Sequence, residues 1–121
     1  MKYLIPLSIL ITVSSSLFAD VIPPEKTKDY VGKTATVCGK AVHIVSREDH
    51  TFINLNKFHP YQDFYFFYPS STFPKSSFLN KKVCATGTIR IHYGQYRKYQ
   101  IIVNSLDQFQ IKVSFDNAIV N

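Results

Sequence analysis

Four histidines, two cysteines and eight carboxylates are the groups through which this 121-residue chain could act on a substrate. His43, His50, His59 and His92 have no spacing typical of zinc ligands, and Cys38 and Cys84 form no Cys-x-x-Cys pair. No paired carboxylates sit on a strand where they could share acid and base work or hold Mg²⁺, and Glu48 and Asp49 adjoin in a loop-like stretch, where acidic residues are usually just solvated. A Gly-x-Ser-x-Gly elbow and a phosphate-cradling glycine loop are both missing. The sequence therefore reads as a non-enzyme, with no catalytic residue, no metal and no cofactor.

Flat rings interleaved with cations are the stronger signal. The chain carries 8 Tyr, 10 Phe and no Trp, and its 14 Lys and Arg outnumber 8 Asp and Glu for a formal charge of +6. A small basic chain rich in rings suits a polyanionic partner. Single-stranded nucleic acid is held by cations along its backbone and by rings under its bases, each stack contributing about 1–3 kcal/mol. The candidate residues are Arg47, Phe52, Lys57, Tyr61, Tyr65, Phe67, Tyr93, Tyr96, Arg97, Lys98 and Tyr99, with His50, Asn54, Phe58 and His59 among them. In Asp63–Tyr68, side chains must alternate between two faces. The set beside Asp63, Tyr65 and Phe67, is read as an exposed outer pair. Tyr93–Tyr99 reads as a hairpin tip with three tyrosines and two cations, whereas Lys26, Lys28, Lys33, Lys81 and Lys82 read as solubility and strand-end charges.

These residues need elements to position them. Residues 1–19 have the layout of a cleaved secretory signal: Lys2, an apolar run from Tyr3 to Val13, then small residues ending at Ala19. The apolar run is short and interrupted by Pro6, so no stable membrane span is expected after cleavage. Residues 20–121 are then one domain, periplasmic or secreted, with a single modest core. Pro23–Gly32 suits one short helix. Beyond it come runs rich in Val, Ile, Thr, Phe and Tyr at Thr34–Val45, Thr51–Asn56, Asp63–Tyr68, Lys81–Tyr93 and Tyr99–Val103, with a coda at Phe109–Val113. Pro69–Asn80 is a short connector between the third and fourth runs, suited to a turn of helix or an irregular plug. Long strand, two shorter strands, connector, long strand and short strand is the order of an all-β, five-stranded OB-fold Greek-key barrel. Gly39 and Gly87 are where its long strands could bend.

The segments VGKTATVCGKAV, TFINLNKFHPYQDFYFF, NKKVCATGTI and QIIV resemble exported bacterial OB-fold domains of the nucleic-acid-binding, tRNA-anticodon-binding-like type. The resemblance runs from about Tyr30 to Ile111 and implies a binding module for single-stranded nucleic acid, with no catalytic residue to carry over. Tyr93–Tyr99 departs from it, being longer than the Gly-containing turn of many relatives. An oligosaccharide- or protein-binding module of the cell envelope is the competing reading, because aromatic platforms also bind sugars and an acidic glycan would suit the charge. Oligomeric state is open. Cys38 and Cys84 share a phase, opposite Val37, Val83 and Ala85. Neighbouring first and fourth strands would set the two cysteines side by side, outside the core, for a structural disulfide in an oxidising compartment.

Overall fold

The computed structural model describes residues 19–112, so the signal segment expected at 1–19, save Ala19, and the last residues of the 20–121 domain lie outside the described residues. Eight strands follow one another: β1 (Asp20–Ile22), β2 (Thr34–Ser46), β3 (Thr51–Leu55), β4 (Phe64–Tyr68), β5 (Lys82–Thr88), β6 (Arg90–Tyr93), β7 (Arg97–Ile102) and β8 (Phe109–Lys112). A 3₁₀ helix (Pro24–Tyr30) and a single α-turn, α1 (Lys75–Phe78), are the larger helical pieces. None of the described helices is long and apolar enough to cross a membrane.

The sheet runs β6-β7-β4-β3-β2-β5-β8, with β1 parallel to β2. A β2–β3–β4 antiparallel meander, a β2–β5 pairing and a parallel β4–β7 pairing make this an OB-like, all-β architecture. The expected count of five strands is too low. The run Lys81–Tyr93 is not one strand: it breaks at Ile89 into β5, which pairs with β2, and β6, which pairs with β7. Ile89 is buried, donates its N–H to Lys33 O at 3.0 Å and accepts from Gly32 N at 2.8 Å, so its peptide bonds leave the ladder for the β2 lead-in. Strands β1 and β8 add two edges. The expected N-terminal helix is 3₁₀ rather than α, with prolines at its start.

Alternation decides what each strand buries. Val37, Ile53, Leu55, Phe64, Phe66, Val83, Ile89, Ile101 and Val103 are fully buried. Phe73 and Phe78 of the connector cap this core against Phe109, with ring centroids 4.7–5.9 Å apart. A register shift between Ala41 and His43 marks a bulge in β2. The extra residue reverses the phase, so Ala41 and Ile44 both point into the core while His43 turns out.

Cys38 and Cys84 are directly opposed in the β2–β5 register and joined by a disulfide. They share the outward phase, yet Cys84 is itself buried, lying in register between Cys38 and Gln110 of β8.

Candidate functional site

The outward phase of β2, β3, β4, β7 and β6 gives a continuous face. One row across it reads Val45, Phe52, Phe67 and Ile102; the next reads His43, Asn54, Tyr65, Gln100 and Arg90. Phe52 stands edge-on to Tyr65 at 5.0 Å and to Phe67 at 5.8 Å, and His50 stacks on Phe67 at 5.1 Å. These four rings line or adjoin two hollows, of about 260 and about 350 Å³, on either side of the Tyr65–His92 contact.

The smaller hollow sits among β2, β3, the loop 56–62 and the β6–β7 hairpin. Arg47, Lys98, His43, His59 and His92 line it, and among the described residues of its lining none is a carboxylate. Its floor is a relay of amides. Gln62 Nε2 donates to Asn54 Oδ1 at 2.7 Å and to His59 Nδ1 at 3.0 Å, and Asn54 Nδ2 donates to His43 Nδ1 at 3.2 Å. His43 Nδ1 also faces the His59 backbone N–H at 3.4 Å. With donors on that nitrogen, a proton there would oppose them; burial and the neighbouring His59 accordingly hold the His43 imidazole below its ordinary value. Gln62 is 2% exposed, and its Oε1 is a buried acceptor with no hydrogen-bond partner among the described residues. The Tyr65 hydroxyl and His92 Nδ1 share a hydrogen bond of 2.6 Å, and burial pushes the Tyr65 phenol up to about 12. It stays protonated throughout the physiological range.

The candidate residues divide into four groups. Arg47, Phe52, Tyr65, Tyr96 and Lys98 meet at the smaller hollow, and Phe67 lies beside Phe52 at the larger one. Tyr65 faces outward with Phe67, yet it is 3% exposed instead of open, because Phe52 and His92 lie against it. Lys98 is also buried. Its ammonium donates to the carbonyls of Pro60 and Gln62, tying β7 to the loop before β4, with the Tyr96 ring 5.6 Å away. Burial lowers its proton affinity, while Asp63 pulls the other way. Tyr99 points inward and packs on the core. Tyr61, Tyr93, Lys57 and Arg97 are exposed, Arg97 lying 5.6 Å from the Tyr93 ring.

Nothing in their spacing signals that the histidines converge. Their numbers are unrelated, but register sets His43 beside Asn54 and His92 beside Lys98, the loop brings His59 against His43, and all three line one hollow. They do not make a metal centre: among the described residues no group of three or more His, Cys, Asp or Glu is arranged to hold an ion. Gln62, absent from the expected set, is as deeply buried as Asn54. Its neighbours in sequence, Tyr61 and Asp63, are both exposed and gave no hint of that burial.

No protein-family model and no curated protein matches the sequence. Solved structures do. An aspartyl-tRNA synthetase from Leishmania major superposes over 84% of this chain with a TM-score of 0.52 and 12% identity. One from Entamoeba histolytica does so over 84% with 0.52 and 14% identity. The likeness is one of fold, and supports the OB type. This chain spans only 22% and 24% of those two enzymes.

Proposed function

We propose that this is an exported, non-catalytic OB-fold protein that binds single-stranded nucleic acid across the Phe52–Phe67 face. The carrying observation is the smaller hollow: rings and five Arg, Lys and His side chains converge there, and no carboxylate lines it among the described residues. Bases stack on rings without regard to sequence, and cations hold the phosphates between them. An unstacked base also brings N–H donors, which the buried Gln62 Oε1 lacks. The fold it shares with parts of two tRNA synthetases suits the same reading. Export accounts for the apolar leader and for a disulfide in so small a domain.

A titration of the purified domain against a labelled single strand at low and moderate salt tests the reading. Affinity should fall steeply with salt, and duplex should compete poorly. Salt-independent binding, or displacement by a neutral oligosaccharide, would assign the face to sugars instead.

A further inference from the structure

The β2–β5–β8 half of the sheet carries a feature that alternation in the sequence did not reveal. Lys40 lies directly opposite Lys82, and Lys82 directly opposite Lys112. All three are exposed and share the outward phase of the disulfide. Strands lie about 4.8 Å apart, so three ammonium stems leave the surface within about 10 Å of one another. Like charges directly opposed across strands destabilise a sheet. No acid lies within salt-bridge distance of these lysines among the described residues. The arrangement is unfavourable for the protein alone and is relieved by an anion laid across it.

The row also has a physical link to the aromatic face. Asn56, in a left-handed conformation (φ 69°), accepts the Lys40 N–H on its side chain at 2.8 Å and donates its own N–H to Lys40 O at 2.8 Å. This pins the start of the 56–62 loop beside Lys40. Lys57 follows, and the exposed ring of Phe58 stacks on His43 at 4.5 Å, at the rim of the smaller hollow. A ring, a cation and a cation row thus lead away from the hollow.

We propose that a single strand held at the aromatic face continues over Phe58 and Lys57 and lays its phosphates along Lys40, Lys82 and Lys112. This rests on the nucleic-acid reading above and extends the footprint around the barrel, past β2, to strands that carry no ring platform. The contact is one of charge alone and therefore independent of base.

The test uses single strands of about 4 and about 16 nucleotides, the range of OB-fold footprints. Each is titrated over a salt series against the wild type, a Lys40→Gln/Lys82→Gln/Lys112→Gln variant, and a control of equal charge, Lys26→Gln/Lys28→Gln/Lys75→Gln. For the long strand, the row variant should lose about 2 from the slope of log affinity against log salt, at about 0.7 per phosphate. Its affinity for the short strand should stay within about twofold of wild type, and the control should keep the wild-type slope. Its melting temperature at low salt should equal or exceed that of wild type, because a repulsion has been removed. If the triple variant is unstable, Lys82→Gln alone should lower the long-strand slope by about 0.7.

An unchanged slope, an equal loss in the control, or an equal loss on the short strand overturns the proposal. So does a row variant that keeps the long strand but loses binding to vesicles of anionic lipid, which would make the row a membrane contact. Wild-type protein that binds neither strand fails the underlying reading. Wild-type protein that binds both strands, with the lysines indifferent, fails this proposal alone.

Discussion

Gln62 Nε2 lies 2.7 Å from Asn54 Oδ1, and this one bond fixes which end of each buried amide faces which neighbour. With Nε2 turned to Asn54, Oε1 is left as an acceptor without a partner among the described residues, and the Asn54 amide nitrogen donates to His43. Gln62→Leu should therefore lower stability by about 1–3 kcal/mol, the cost of leaving Asn54 Oδ1 buried without its donor. The double variant Gln62→Leu/Asn54→Leu should cost less than the sum of the two single changes. Urea melts of the four proteins check this; strict additivity would mean the relay carries no coupling.

Phe67 is half-buried and stacked by His50, outside the core that Phe64 and Phe66 fill. Phe67→Ala and Tyr96→Ala should each weaken single-strand binding by about 1–3 kcal/mol. Melting temperature should move far less than for Phe66→Ala, which opens a cavity in the core. Fluorescence anisotropy beside thermal melts separates the two effects. Wild-type affinity in both variants removes the rings from the site.

The pH dependence follows from His43. Its folded-state imidazole is held below the ordinary 6.5, so as pH falls the unfolded chain takes up the proton first. The contribution to stability is complete above 6.5 and is lost as pH drops below it. Melts at about pH 7.5 and about pH 5.5 should show lower stability in acid, with a smaller difference in His43→Gln. An identical difference in both proteins would assign the effect to other groups.

The disulfide closes a loop of 46 residues in sequence separation. By chain entropy, Cys38→Ala/Cys84→Ala should cost up to about 4 kcal/mol. Mass spectrometry of unreduced, alkylated protein provides the direct check: two labelled thiols in material from an oxidising compartment would show that the pair does not form there.

A Cβ on Gly87 would stand 2.5 Å from Ile101 Cγ2. This is a glycine required by close approach, where β7 packs across β5. Gly87→Ala should destabilise by about 1–3 kcal/mol through overpacking, and its cost should shrink in an Ile101→Ala background, where the opposing Cγ2 methyl is gone. Chemical denaturation of the single and double variants measures it.

Alternation made much of the fold readable. Val37 against Cys38, Val83 against Cys84, and Phe64 against Tyr65 are local contrasts, and each tells which side of its strand meets the core. The cysteine pairing followed from phase and from the neighbourhood of two strands. What stayed hidden depends on register between distant segments. The burial of Tyr65 needs His92, the burial of Lys98 needs the carbonyls of Pro60 and Gln62, and the histidine cluster needs a bulge at β2 that reverses its phase. The break at Ile89 was hidden because its cause, hydrogen bonding to Gly32 and Lys33, lies more than fifty residues away in a stretch that looked like a helix end. The lysine row had the same difficulty: Lys82 looks like a strand-end charge until Lys40 and Lys112 are set on either side of it.

The break at Ile89 divides the molecule by how freely each part can vary. Before it, the chain is clasped by a disulfide and flanked by β2 and β8; after it, β6 is an edge strand whose only ladder partner among the described residues is β7. A residue gained or lost at Gly94–Tyr96 shifts no register on the clasped side, since among the described residues the hairpin's ladder pairing with the rest of the sheet runs through β7 to β4. The rim of the hollow is thus the cheapest part of the molecule to lengthen, shorten or recharge. Lineages that keep the half-barrel of β2, β5 and β8 unchanged can still diverge in what the hairpin admits, and a hairpin transplanted between relatives should carry its preference with it.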